Sequence, residues 1–184
     1  MSSHQTALVR RGLQLSYATL AYNCLEGIIA ILAGLAAGSV ALVGFGADSL
    51  IEVTASLTAI GILFLALAAY VAADAVQSLI TRQAPDASLV GLVLAAPSLI
   101  VMPLLANAKR KVALALGSGA LAAESRQTML CTYLSAVLLG GLILNAALGW
   151  WWADPVAALV MVPIIVREGV EAIRGRAGCG DCCP

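Results

Sequence analysis

GSVALVGFGADSLIE, residues 38–52, is an apolar run that carries two carboxylates, Asp48 and Glu52. An ionised carboxylate is costly in hydrocarbon, so such groups mark ion or proton paths. Their i, i+4 spacing puts both on one helix face. A second stretch, GSGALAAESRQTMLC at residues 117–131, carries Glu124, Gln127 and Cys131 at i, i+3 and i+7, again one face. The two stretches align at an offset of 79 residues. Gly38-Ser39 falls on Gly117-Ser118 and Ala41-Leu42 on Ala120-Leu121. Asp48 falls on Gln127, Glu52 on Cys131 and Ser56 on Ser135. Three spans separate the copies, so their topologies are inverted. Inverted repeats are a transporter signature, with the site near the midplane where the copies meet. Five donors or titratable groups on two facing helices describe a cation site better than a core.

The composition sets the medium. The chain has 184 residues, 61% hydrophobic and 11% charged, where a soluble domain carries about 25% charged residues. Its mean hydropathy is +0.98. This is the composition of an integral membrane protein. The formal net charge is zero, so no basic field attracts nucleic acid. The single histidine, His4, lies in the polar leader, so no serine or cysteine of the apolar spans has a histidine partner. Nothing supplies the nucleophile–base pair of an enzyme.

The apolar runs divide the chain into a leader at 1–12, a transmembrane domain at 13–173 and a short cytoplasmic tail at 174–184. Arg10-Arg11 imitates a twin-arginine or secretory signal, but the run at 13–35 is too long for a signal core. Residues 36–38 make a very short turn. Residues 39–80 then continue without a charged or Pro/Gly-rich break. As one helix they would extend roughly 63 Å, about twice a bilayer core; as two spans they need a hairpin near 56–61. A loop at 81–88 leads to a span at 89–108, interrupted by Pro97 and Pro103. Lys109-Arg110-Lys111 ends that span. A long helix follows, from 113 or 120 to 148. Trp150, Trp151 and Trp152 form an interfacial belt. Asp154-Pro155 opens a last span to about 167.

Charge placement arbitrates between five spans and six. With six spans and the N-terminus inside, Arg10, Arg11, Lys109, Arg110, Lys111, Arg167, Arg174 and Arg176 are all cytoplasmic, and Arg82 alone is outside. The positive-inside rule favours this arrangement. The expectation is an all-α polytopic membrane helix bundle of six spans, with spans two and three fused or joined by a minimal turn. It sits in the inner or plasma membrane with both termini cytoplasmic.

At these residues the sequence resembles the cation diffusion facilitator, or cation efflux, family, whose members exchange zinc, manganese, iron, cobalt or cadmium for protons. The family's second span reads approximately S-x-A-L-x-A-D-A-x-H-S-x-x-D. Here Ser39-Val40-Ala41-Leu42 leads to Asp48 at the histidine position and Glu52 at the aspartate position. In the fifth span Ala120-Leu121 leads to Glu124, then Gln127 and Cys131 at the matching positions. Trp152-Ala153-Asp154-Pro155 resembles the W-x-D-P opening of the sixth span, and Asn23 a first-span asparagine. The departures are the absent membrane histidines, the absent loop between spans two and three, and the missing cytoplasmic dimerisation domain. The chain looks like a short member without that C-terminal domain.

The resemblance implies a homodimer that carries a divalent cation against protons, with Asp48, Glu52, Gln127, Cys131 and Glu124 as metal ligands and no resident cofactor. Hard oxygens from Asp48, Glu52 and Gln127 suit manganese or ferrous iron, and the sulfur of Cys131 pulls toward zinc or cadmium. Zinc ranks first on the resemblance. Metal binding displaces protons from protonated ligands, which links the two fluxes. The alternative is a membrane metal-binding or interaction protein that keeps the fold without transport.

Plainer readings stand beside these. Asp48 and Glu52 also read as a structural hydrogen-bonded pair between helices. Glu124 pairs with Arg126 or Lys111 in a second reading, Gln127 is polar glue, and Cys131 an ordinary small residue in a span. Glu26 reads as a packing residue. The tail Cys179, Cys182 and Cys183 reads as free thiols on a reducing side or as a soft-metal site.

Overall fold

The chain's computed structural model describes residues 3–54, 57–82, 85–86 and 88–174; the side chains of residues 3, 4 and 52–60 also lie outside the description. Among the described residues there are six helices: α1 (Ser3–Ala37), α2 (Val40–Thr54), α3 (Leu57–Thr81), α4 (Leu89–Leu116), α5 (Gly119–Leu148) and α6 (Ala153–Ile173). The all-α expectation holds. Four of them, α1, α3, α4 and α5, are long and apolar enough to cross a membrane. The 15 residues of α2 rise about 22 Å, and α6 carries Arg167, Glu168 and Glu171 near its end.

Two turns with the same chemistry organise the bundle. Gly38 takes φ +66°, a left-handed conformation that costs a residue with a Cβ about 1 kcal/mol or more. Ser39 then donates its N–H to the Gly34 carbonyl at 3.0 Å. Its side chain accepts from the Leu42 N–H at 3.1 Å, capping α2. Gly117, at φ +63°, and Ser118 repeat the device between α4 and α5. Ser118 donates to the Ala113 carbonyl at 3.0 Å and accepts from the Leu121 N–H at 3.4 Å. The matched residues of the sequence repeat are therefore matched turns.

The turns lie at opposite ends. The Asp86 N–H donates to the Ala37 carbonyl at 2.8 Å, and Asn145 donates to the Pro85 carbonyl at 3.0 Å. The α1–α2 turn, the α3–α4 connection and the end of α5 thus share one end of the bundle, and the Gly117-Ser118 turn closes the other. Residues 39–80 resolve into two helices. Val71 of α3 packs against Gly44 of α2, so the chain reverses between them. Residues 55–56, where the sequence reading put the start of a hairpin, lie outside the described residues.

Helix ends differ from the apolar runs in three places. α1 begins at Ser3, ahead of its run. α4 continues through Lys109-Arg110-Lys111 to Leu116, because lysine and arginine are good helix formers and nothing stops the helix before Gly117. α6 continues past Arg167 to Ile173. Phe45, Leu42, Phe64, Leu138, Met161 and Ile165 fill the core between α2, α3, α5 and α6. Large apolar side chains such as Tyr17, Leu32, Ile80, Ile100 and Leu114 point outward, the distribution that suits a lipid solvent.

Small residues set the closest approach. A Cβ on Gly46 would stand 2.8 Å from the Gly27 carbonyl oxygen and 2.9 Å from Ala30 Cβ. Gly46→Leu is expected to force α1 and α2 apart and lower stability by about 1–3 kcal/mol. Thermal unfolding in micelles reads this, with Gly140→Leu as the unaffected comparison, since a Cβ there meets nothing within 4 Å.

Candidate cation site

Asp154 joins the two ends of the motif that the sequence offered separately. It is buried in the first turn of α6. The Ser39 hydroxyl donates to its Oδ1 at 2.5 Å and the Ala41 N–H reaches its Oδ2 at 3.4 Å. Unpaired N–H groups at a helix start attract a carboxylate. Asp154 therefore fixes the start of α6 to the start of α2, which carries Asp48 a little over two turns further on.

Asp48 is 4% exposed and lies in the electrostatic field of Glu168 on α6. Two carboxylates near one another in a low dielectric repel, and a cation or proton between them removes the repulsion. Glu168 also lies in the field of Arg126 on α5. The sequence reading ended the last span at about 167, just short of Glu168. Its neighbours Ile165, Gly169 and Ala172 are buried at helical spacing, and that pattern places Glu168 beside the packed face. Glu52 lies one turn beyond Asp48 on α2, and its side chain is outside the described residues. Cys131 is 1% exposed on α5, with its carbonyl accepting from Ser135 at 2.7 Å. α2 and α5 are in contact.

Glu124 and Gln127 come together elsewhere. They line a polar cleft of about 60 Å³ with Ser16, Thr19 and Asn23 of α1, Lys109 of α4 and Thr128. Roughly 15 Å³ holds one water, so the cleft takes a few. Lys109 is the surprise. Read as the basic end of a span, it is instead wholly buried. Its ammonium donates to Glu124 Oε1 at 2.9 Å and to Thr128 Oγ1 at 3.2 Å. The Ser16 hydroxyl donates to Glu124 Oε2 at 2.8 Å. Both carboxylate oxygens of Glu124 are thus engaged, and its partner is Lys109 rather than Arg126 or Lys111. Among the described residues no three His, Cys, Asp or Glu side chains converge as metal ligands.

The pattern of the cation efflux transmembrane domain matches residues 59–175. The chain belongs to the cation efflux family. No curated protein matches it. The match spans α3 to α6, and so includes Lys109, Glu124, Gln127, Cys131 and Glu168. The cation efflux family carries cations across membranes, and its proteins are not enzymes. With its long apolar helices this makes the chain an integral multi-pass membrane protein.

Proposed function

We propose that this cation efflux protein exports a zinc-like divalent cation from the cytoplasm in exchange for protons. All six helices serve as spans, both termini are cytoplasmic, and the working form is a homodimer. Asp48, Glu52 and Cys131 hold the metal where α2 and α5 meet, and Gln127 joins them only by turning out of the cleft. Glu124 joins them only by releasing Lys109. The observation that carries the reading is Asp48. It is a carboxylate almost fully enclosed by helices, with a second carboxylate in its field. The related turns at opposite ends support alternating access, because inverted repeats rock about a site between them.

Charge supports the orientation. Exposed Arg10, Arg11, Arg110, Lys111 and Arg174 gather at one end of the bundle, and Arg82 at the other. Cations collect on the cytoplasmic side. Zinc comes first on the family likeness, to which the sulfur of Cys131 adds, then manganese or iron because the other donors are oxygens.

One observation favours the second reading, a metal-binding protein of the same fold without transport. Lys109 holds a fixed positive charge in the polar cleft and repels an entering dication. Proteoliposomes decide between them. Zinc entry accompanied by proton exit is the expected result, read by a zinc dye and a pH dye. Zinc binding with neither flux would establish the second reading.

A further inference from the structure

The packing assignment of Glu26 leaves its chemistry unexplained. Glu26 is 3% exposed on α1. Its Oε1 accepts a hydrogen bond from the Ser98 hydroxyl of α4. Tyr22, one turn earlier, places its hydroxyl 2.8 Å from Ser98 Oγ. Among the described residues Glu26 Oε2 is buried and has no hydrogen-bond partner. Among the described residues no cationic side chain acts on it. His4, Arg10, Arg11, Tyr17, Tyr22 and Cys24 share its helix, α2 carries Asp48 and Glu52, α4 carries Arg110 and Lys111 at its far end, α5 carries Arg126, Cys131 and Tyr133, and in the cleft between lie Lys109 of α4 and Glu124 of α5. The last two are engaged with each other.

A buried carboxylate with one open oxygen and no counter-charge requires a cation. A dication does not fit. It needs several anionic or carbonyl ligands, and one carboxylate with two hydroxyls leaves it undercharged and undercoordinated. A proton on Oε2 neutralises the group completely and uses the one open position.

A route reaches it. Ser16, Thr19, Asn23 and Glu26 are spaced three, four and three residues apart, which aligns them along one face of α1. The first three line the polar cleft. Thr19 and Asn23 are otherwise buried. The cleft therefore leads along α1 to within one turn of Glu26.

We propose that Glu26, with Ser98 and Tyr22, is a proton-binding site separate from the metal site, filled through the α1 cleft. A proton from cleft water bonds to Oε2, and the same O–H bond breaks when the proton returns to water. Ser98 donates to Oε1 throughout. The site stands on its own geometry; its role as the carrier of the exchanged proton rests on the antiport reading above.

The test is pH-difference infrared spectroscopy of the protein in lipid vesicles, alongside zinc-driven proton flux. The expected result is a carbonyl band from a non-hydrated carboxylic acid that Glu26→Gln removes and Asp48→Asn leaves in place. Ser98→Ala, which keeps the carboxyl but loses its hydrogen bond, is expected to move that band to higher frequency. Glu26→Gln is also expected to bind zinc as the parent does while zinc-driven proton flux falls to that of empty vesicles. A band unchanged by Glu26→Gln overturns the site. If that variant does not insert, a band unmoved by Ser98→Ala overturns it instead. Proton flux unchanged in Glu26→Gln overturns the coupling role. A parent that shows the Glu26 band yet moves no zinc removes the antiport reading and leaves the site standing.

Discussion

Asp48→Ala is expected to reduce zinc flux in proteoliposomes by about 100-fold, at least the loss that follows from removing a group merely supporting a metal ligand. The residue is buried, so no bulk water replaces the missing oxygens. Asp48→Asn keeps the shape and one carbonyl oxygen but removes the charge, and its flux should fall nearly as far. Zinc binding by equilibrium dialysis should fall in parallel. Flux at the parent level in Asp48→Ala would place the metal elsewhere, and the cleft with Glu124 and Gln127 would become the first place to look.

The second large effect concerns stability. In Glu124→Gln the Lys109 ammonium faces a neutral amide while wholly enclosed. A buried ion that loses its partner costs about 3 kcal/mol. The reverse change is milder. Glu124 keeps 39% of its side chain exposed, so in Lys109→Met its carboxylate turns toward water and the loss is smaller. Removing both charges together should return stability close to the parent, because an apolar pair of similar volume replaces an ion pair at little cost. Denaturant unfolding of the four proteins in micelles measures the cycle. Equal losses for the two single variants would show that Lys109 reaches water by another route.

Much of this architecture is legible in the sequence because it rests on local chemistry. Residues 36–38 were read as a turn, and the turn forms; Gly117-Ser118 was read only as its repeat, and the left-handed glycine with a serine cap that both share was in the residue types but went unread. The break within 39–80 is legible too, since one helix of that length exceeds any bilayer. The ion pair was missed for a tertiary reason. Lys109 was read with Arg110 and Lys111 as a basic boundary. Yet Met102, Ala106, Lys109 and Ala113 recur at helical spacing and form the buried face of α4. Helical periodicity separates Lys109 from its two neighbours, but only the packing of α5 supplies Glu124 opposite it. Glu168 was missed similarly, because charge drew it to the tail while the buried small residues around it drew it inward. The stripe on α1 was half seen, in Asn23 and Glu26. Adding Ser16 and Thr19 to the count completes it.

The bond between Ser39 and Asp154 spans 115 positions of chain. While the ribosome is still producing the earlier helices, the first turn of α2 has its serine cap but no carboxylate. That anion arrives only with the last helix. Assembly is therefore sealed from the far end of the polypeptide, and a nascent chain cut short before Asp154 would leave the acidic helix loosely seated however completely its own residues had been translated.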